Sequence, residues 1–345
     1  MLISVIISAY DRREFLKNAI RSVYRQLLDK GLYEVIVVKN FEDKEIDDYI
    51  AKLGYKNIIY DTPKYGEQIS AGIEESKGEI LAFLEDDDEF KQEKLSKIYN
   101  VFTTQKEVSY FHDTREYIYN DKIIDINTKD PKISEIIKYL EEITPHEDVL
   151  IDPFDKRVKN FLVKYYGIAV TVSLMSVRRS CIEDKMALLK QIDVGVEDFI
   201  PAFAAECGKL FHAADRLTRY RIHNKNSSIA LNEKDIIRPL FNLMRSINDW
   251  KIIINNISPR NQMRNVVKMR VLSAKLALYT SPDEIKEKLG YKQNILSAIK
   301  DLTDLSLINH DLHWYLNFLP YVIFTSIPSK RVKMLIKRII KGVRK

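Results

Sequence analysis

Five consecutive acidic residues, Glu85 to Glu89, are the strongest sign of chemistry in this sequence. They directly follow an apolar run, residues 80–84, which reads Ile-Leu-Ala-Phe-Leu. Carboxylates this close repel one another and cannot be buried without partners. A divalent cation held by oxygen ligands would relieve the repulsion. A solvated acidic loop would need no cation, so the run by itself leaves both interpretations open.

The elements around the acidic run indicate that it faces a cleft. An apolar run that ends abruptly in acid is typical of a buried strand, and open α/β sheets bind ligands just outside the carboxyl ends of their strands. The alternating patterns predict strands over residues 3–8, 34–38, 56–60, 79–84 and 108–111 and helices over 11–28, 46–53, 66–76 and 91–102. This order predicts a mostly parallel sheet with helices on both faces.

The second half of the chain is less regular and then becomes helical. A hairpin is predicted around the turn Asn120-Asp121, followed by a helix over 131–142, a strand over 170–177 and a helix over 196–207. Beyond residue 230 helices are predicted over 235–254, 262–279, 283–288 and 294–307, the third with Ser281 as its cap. We therefore divide the chain into an α/β domain (1–230), a helical region (231–311) and a tail (312–345).

Four segments in order resemble the motifs of family 2 glycosyltransferases of the GT-A fold. They are residues 4–12 (Ser-Val-Ile-Ile-Ser-Ala-Tyr-Asp-Arg), 84–88 (Leu-Glu-Asp-Asp-Asp), 196–199 (Val-Glu-Asp-Phe) and 220–227 (Tyr-Arg-Ile-His-Asn-Lys-Asn-Ser). The second is similar to the Asp-x-Asp motif of that family, and the third is similar to its Glu-Asp pair at a helix start. The resemblance covers about residues 1–228 and implies transfer of a sugar from a nucleotide donor.

The resemblance also implies which residues bind the donor. Asp87 would be the main ligand of a divalent metal, Mn²⁺ or Mg²⁺, with Asp88 and His223 in support. Glu85 and Asp86 would face the ribose or stand behind the metal ligands. The nucleotide-binding turn would contribute Ser8, Ala9, Tyr10 and Asp11, and Asn40 and Gln68 are candidate contacts where the chain departs from the family pattern, with Lys64 as the alternative to Gln68. Asp88 and Glu89 have an alternative role as acids that start the next helix, and His223 as a packing residue.

For the acceptor, the resemblance implies Asp198 as the general base and Glu197 as the residue that orients substrate or base. A hydroxyl acceptor has a pKa far above neutral and needs such a base. A base opposite the leaving group implies one in-line displacement, with inversion at the anomeric carbon. The alternative is that both acids form an ordinary charged first turn after Gly195.

The chain departs from the family pattern in ways that leave the donor open. Lys39 stands where the family often has an acid that contacts the nucleotide base, so Asn40 and Phe41 become the candidates. Residues 65–72 lack the Ala-Arg-Asn sequence found in many members. These departures motivate a second hypothesis, a catalytically inactive GT-A protein that binds sugar nucleotides or acts as a scaffold. A nucleotidyltransferase would need a glycine-rich phosphate loop near the N-terminus, which the sequence lacks.

Positive charge is concentrated at the C-terminal end. The formal net charge is +6, but residues 329–345 hold eight Lys or Arg and no acid, which leaves −2 for the rest. A near-neutral body argues against nucleic-acid binding. The preceding residues 312–328 are rich in aromatic residues but too short to span a bilayer.

Basic and apolar residues alternate in 329–345 as in helices that lie at a membrane surface. We therefore expect a cytoplasmic protein that is peripheral on the inner face of an anionic membrane and uses a lipid-linked or glycan acceptor. The alternative is a tail packed on the main body. The two cysteines form no disulfide framework, and the apolar N-terminal stretch is too short for a signal peptide.

Overall fold

A single sheet forms the centre of the molecule in the computed structural model, which describes residues 1–232, 235–309 and Leu319. The strands are β1 (Ile3–Ala9), β2 (Tyr33–Lys39), β3 (Lys56–Ile59), β4 (Ile80–Glu85), β5 (Glu89–Phe90), β6 (Val108–Tyr119), β7 (Lys122–Ile124), β8 (Val149–Ile151), β9 (Met175–Arg178) and β10 (Lys209–Arg221). In space they run in the order β3-β2-β1-β4-β9-β6-β10-β5, with β7 beside β6 and β8 beside β10.

The longest ladders of this sheet are parallel. They join β1 to β2, β1 to β4, β2 to β3 and β6 to β10, whereas the antiparallel ladders are short. The predicted mostly parallel sheet is thus confirmed. Strand β9 pairs antiparallel with both β4 and β6, and so it joins the first half of the sheet to the second.

Helices cover both faces of the sheet and continue beyond it. They are α1 (Leu16–Tyr24), α2 (Lys44–Lys52), α3 (Tyr65–Glu74), α4 (Lys94–Thr104), α5 (Pro131–Glu142), α6 (Lys159–Lys164), α7 (Met186–Leu189), α8 (Val196–Ala204), α9 (Ile237–Asn256), α10 (Met263–Thr280), α11 (Asp283–Leu289) and α12 (Ile295–Asn309). The four helices predicted after residue 230 are confirmed, although the cap of α11 is Pro282 rather than Ser281.

Several predicted elements differ in extent: the strand expected over 108–111 continues to Tyr119, and the helix expected over 196–207 ends at Ala204. Two others begin late, and backbone conformation explains both starts. The first helix was expected from residue 11, but Asp11 has φ 54°, a left-handed conformation that an α-helix cannot contain. The strand expected over 170–177 begins only at Met175, since Thr171 has φ 71° and residues Val172–Leu174 form a 3₁₀ turn.

The hairpin between β6 and β7 forms as predicted. Its turn residues Asn120 and Asp121 have φ of 49° and 57°, and Tyr119 pairs with Lys122 across the turn. Positive φ at both central residues is the geometry of the two-residue turn that suits the twist of a hairpin.

The sheet separates two apolar clusters, and the C-terminal helices belong to one of them. Val5 and Ile7 of β1 pack in a cluster with α1, α2 and α4. Ile6, on the other face, belongs to a cluster that extends through α8 to Trp250 of α9 and Met263 of α10. The helical region is therefore part of the same core as the sheet.

Among the residues the structure describes, no helix is long and apolar enough to cross a membrane. The tail assigned to residues 312–345 lies, apart from Leu319, outside that part of the chain.

Candidate active site

The acidic run forms a turn at the carboxyl ends of β1 and β4. Ser8 and Glu85 are partners in the ladder between these strands, and the backbone N–H of Asp86 donates to the carbonyl of Ser8 at 3.0 Å. Asp86, Asp87 and Asp88 are only 1%, 6% and 1% exposed. A solvated acidic loop is therefore excluded, and each carboxylate needs a partner within the protein.

Arg12 is the cationic partner of the first two aspartates. Its Nε donates to Asp86 Oδ2 at 3.2 Å, its Nη2 also contacts Asp86, and its Nη1 donates to Asp87 Oδ2 at 2.6 Å. Burial and the charge of Asp87 raise the pKa of Asp86 to about 7, even though Arg12 acts in the opposite direction.

His223 brings the end of β10 to the same turn. Its Nε2 lies 2.9 Å from Asp87 Oδ2, and its backbone N–H donates to Asn226 Oδ1 at 2.7 Å. Burial alone would raise the pKa of Asp87, but the hydrogen bond with His223 and the charge of Arg12 outweigh it and lower that pKa. The structure thus brings together two of the three predicted metal ligands.

The chemistry of this pair fits a divalent cation. A carboxylate oxygen and an imidazole nitrogen that face each other are suitable ligands for Mn²⁺, and further coordination positions would remain for phosphate oxygens. Within the described residues, no group of three or more His, Cys, Asp or Glu is arranged to hold a metal ion. A cation bound by Asp87 and His223 would therefore have to complete its coordination with ligands other than a third His, Cys, Asp or Glu of the described residues.

Asp88 and Glu89 are directed to β10 instead. Asp88 Oδ1 accepts from the backbone N–H of Arg221 at 3.0 Å, and Glu89 Oε1 accepts from Arg221 Nη2 at 2.7 Å. Neither acid starts α4, whose N-cap is Glu93. The alternative role as acids of the following helix is wrong, because short strand β5 intervenes and pairs with β10.

The Glu-Asp pair lies at the start of α8 and is held by the C-terminal helices. Asp198 Oδ2 accepts from Trp250 Nε1 at 2.6 Å, and its Oδ1 lies 3.1 Å from Arg270 Nε. Arg270 Nη2 also donates to Glu197 Oε1 at 2.7 Å. The side chain of Glu197 is 29% exposed and that of Asp198 1%. These contacts exclude an ordinary solvated first turn.

Burial sets the protonation of Asp198. It raises the pKa of this carboxyl to about 7, against the opposing charge of Arg270 and with the help of the nearby Glu197. A carboxyl group with a pKa near neutral can accept and release a proton at physiological pH.

Residues 171–173 connect the acidic turn to the Glu-Asp pair of α8. The backbone N–H of Thr171 donates to Glu197 Oε2 at 3.1 Å, and Ser173 Oγ accepts from the backbone N–H of Glu85 at 3.0 Å. Thr171 is β-branched and has φ 71°, a conformation that costs about 1–3 kcal/mol and is found mainly at functional sites.

The predicted nucleotide contacts divide into exposed and buried groups. Tyr10 and Asp11 are exposed at the end of β1, and Asp11 and Asn40 are paired through two hydrogen bonds of 2.8 Å. Ser8 Oγ lies 3.2 Å from the hydroxyl of Tyr65. Gln68 is buried and donates to the carbonyls of Ala9 and Val38, so it supports the strand ends from within.

The departure at Lys39 has a structural explanation. Lys39 is fully buried, and its Nζ donates to the carbonyl of Phe41 at 2.6 Å and lies 2.8 Å from Asp47. The side chain therefore points away from the strand ends, and Asn40 is the residue of this segment that reaches them.

Sequence reasoning missed several residues that shape the site. Arg12 and Tyr65 lie within residues 4–12 and 65–72, but nothing in the sequence indicates their contacts. Trp250 and Arg270 lie within helices of ordinary pattern, far along the chain from Asp198, and carry no motif. Contacts of this kind depend on how the C-terminal helices pack.

Comparison with known proteins agrees with this geometry. Residues 4–163 match the family model described as Glycosyl transferase family 2. The matched stretch is 160 of the 345 residues, somewhat less than half of the chain. The family 2 match includes β1 and the acidic run, while Glu197, Asp198 and His223 lie beyond it.

An uncharacterized glycosyltransferase from Nostoc sp. is one curated relative that this chain resembles. It is 35% identical over 142 residues, which cover 39% of this chain. The aligned region spans only 44% of the length of that relative.

Solved structures resemble nearly the whole chain. S. aureus TarS residues 1–349, in complex with UDP-GlcNAc, has a TM-score of 0.55 at 13% identity, over 98% of this chain and 92% of that one. Another crystal structure of TarS has a TM-score of 0.52 at 12% identity, over 96% of this chain and 54% of that one. Together with the family 2 match, this likeness confirms the predicted GT-A fold followed by a helical region.

Proposed function

We propose that the protein is an inverting, metal-dependent glycosyltransferase that moves a sugar from a nucleotide-sugar donor to a hydroxyl acceptor. The observation that carries the proposal is the meeting of two acidic groups at the strand ends of a family 2 domain. Asp86 and Asp87 form one group and Glu197 and Asp198 the other, and residues 171–173 contact Glu85, which directly precedes the first group, and Glu197 of the second. The likeness to TarS, solved with UDP-GlcNAc, supports a nucleotide-sugar donor.

On the donor side, each residue has a role suited to its position. Tyr10, Asp11 and Asn40 are at the exposed strand ends and contact the nucleoside. Glu85 and Asp86 face the ribose, while Asp87 and His223 would hold the cation. A divalent metal bound there would neutralise the charge that grows on the leaving diphosphate.

On the acceptor side, we assign Asp198 as the group that takes the proton from the acceptor hydroxyl. Its pKa of about 7 suits a general base that works near neutral pH. Glu197 is the more exposed member of the pair and orients the acceptor. Because Asp198 is 1% exposed, its role requires that Glu197 or the first turn of α8 move when the acceptor binds.

The acceptor that we propose is a lipid-linked sugar or a glycan. The support comes from the basic, amphipathic sequence of residues 329–345, which suits an anionic membrane surface. We propose on this basis that the protein lies on the inner face of the membrane. A lipid-linked acceptor would then lie at the same membrane surface as the enzyme.

A donor screen tests the proposal. Purified protein is heated with a panel of UDP-, GDP-, CDP- and dTDP-sugars, with and without Mn²⁺, and the shift in Tm identifies any donor. We expect one nucleotide class to stabilise the protein in a Mn²⁺-dependent manner. Release of nucleoside diphosphate from that donor then separates an enzyme from a binding protein that lacks catalysis. No stabilisation by any sugar nucleotide would contradict the proposal.

A further inference from the structure

Arg12 lies where a bound cation would be expected. Its guanidinium contacts both oxygens of Asp86 and also donates to Asp87 Oδ2 at 2.6 Å. The side chain is 21% exposed, so the contacts are largely shielded from water. The planar guanidinium group, with its fork of N–H donors, fits carboxylates better than a lysine ammonium does.

Among the described residues, Arg12 is the only arginine or lysine that forms an ion pair with the carboxylates of Asp86 or Asp87. Arg221 approaches the same turn, but its Nε donates to the backbone carbonyl of Asp87. Burying these acids without a cation would leave uncompensated charge. The positive charge of Arg12 therefore compensates the negative charge of these carboxylates.

One carboxylate oxygen is shared by two partners. Asp87 Oδ2 lies 2.6 Å from Arg12 Nη1 and 2.9 Å from His223 Nε2. A divalent ion between Asp87 and His223 would bind this same oxygen and stand beside a positive guanidinium. The two cations repel each other and compete for one acceptor.

We propose that Arg12 is the resident cation of the donor site and is displaced when a divalent metal binds with the nucleotide. The freed guanidinium then binds the diphosphate of the donor, whose oxygens match its fork. This assignment rests on the glycosyltransferase function proposed above. As a consequence, the metal binds weakly to the free protein and more tightly once a diphosphate holds Arg12 away from the aspartates. By linkage, the diphosphate also binds more tightly when the metal is bound.

The test is calorimetric titration of the full chain with Mn²⁺ alone. Arg12→Gln removes the competitor, and we expect it to bind Mn²⁺ at least tenfold more tightly than the wild type. Arg13→Gln is the matched control, because Arg13 contacts Phe41 and Asp43 but neither aspartate of the site. It removes the same charge one residue away, and we expect its Mn²⁺ affinity to equal that of the wild type.

A second arm uses UDP and GDP as probes. In the wild type, the nucleotide that binds should raise Mn²⁺ affinity, and in Arg12→Gln this gain should shrink. If Arg12→Gln does not fold, Arg12→Lys keeps the charge without the fork and should show a smaller gain in Mn²⁺ affinity in the same titration.

The assignment is overturned if the folded variant binds Mn²⁺ no better than the wild type or not at all, or if Arg13→Gln gains as much. Its failure is distinct from failure of the proposed function. A wild type that transfers sugar while Arg12→Gln gains no Mn²⁺ affinity contradicts only the role of Arg12. A gain in affinity in a protein that transfers no sugar contradicts only the proposed activity.

Discussion

At the scale of single residues, every aspartate of the acidic turn has at least one partner within the protein. Asp86 is held by Arg12, Asp87 by Arg12 and His223, and Asp88 by the backbone N–H of Arg221. Buried carboxylates persist only with such partners. The arrangement separates their roles, because Asp88 attaches the turn to β10 while Asp86 and Asp87 remain at the strand ends.

Asp87 is the residue on which nucleotide binding should depend most. Asp87→Ala removes the carboxylate that faces His223, so binding of the preferred nucleoside diphosphate in the presence of Mn²⁺ should weaken by roughly 10-fold or more. Binding without Mn²⁺ should change little. Calorimetry with and without Mn²⁺ measures both. Asp48→Ala, on the exposed surface of α2, is the control, and equal loss in both conditions would show that Asp87 acts independently of a metal.

The raised pKa of Asp198 predicts a pH-dependent stability. The folded state holds this proton up to about pH 7, whereas the unfolded chain releases it near pH 4. Between these values unfolding releases a proton, so this group lowers stability as pH rises through the window. Asp198→Asn cannot titrate, and its Tm relative to wild type should rise by on the order of 3 °C from pH 5 to pH 8. A difference in Tm that is constant with pH would contradict the raised pKa.

At the scale of secondary structure, the start of α8 depends on α9. The carboxylate of Asp249 accepts three backbone N–H groups, from Asp193, Val194 and Gly195, each at 2.9 Å. These residues lead directly into Glu197 and Asp198. The C-terminal helices therefore position the Glu-Asp pair through its backbone as well as through Trp250 and Arg270.

Removing this carboxylate should loosen the pair. Asp249→Ala leaves three backbone N–H groups without acceptors, one in a buried hydrogen bond and two in part-buried ones that water can reach. Each costs about 1–3 kcal/mol where water does not replace the oxygen. We expect a loss of roughly 2–4 kcal/mol in the free energy of unfolding, measured by urea denaturation, and a fall in kcat greater than the rise in donor KM. Lys251→Ala, on the exposed side of α9, is the control. Equal effects in both variants would argue against the role of Asp249.

How far the sequence predicted the structure differs between elements. Alternation of apolar runs and helical periods identified β1 to β4 and the C-terminal helices, because these patterns reflect burial directly. The extent of α1 and β9 was missed, since the positive φ of Asp11 and Thr171 leaves no mark in apolar periodicity. The acidic turn and the Glu-Asp pair could be located, but Arg12 and Arg270 could not, because their partners are set by tertiary packing.

At the scale of the whole molecule, sheet and C-terminal helices form one unit. The apolar cluster that contains Ile6 of the sheet also contains Trp250 and Met263. Arg270, which contacts the Glu-Asp pair, lies on α10. The site is therefore complete only when the helical region is folded against the α/β part.

The basic tail is expected to act on the location of the protein and not on its fold. Deleting residues 329–345 removes eight positive charges, each of which contributes about 1 kcal/mol near an anionic surface. We expect the full chain to float with anionic liposomes and the truncated chain to remain in the lower fraction, while neutral liposomes bind neither. Flotation of the truncated protein would show that the tail is not the anchor.

Release of nucleoside diphosphate from the donor found by the screen tests the central claim most directly. We predict that the wild type transfers the sugar and that Asp198→Asn still binds the donor but reacts about 10²–10⁴-fold more slowly. Time courses of both proteins with Mn²⁺, a matched donor concentration and an acceptor give this ratio. A wild type that binds the donor and never releases diphosphate, or an Asp198→Asn variant with the full rate, would contradict the account.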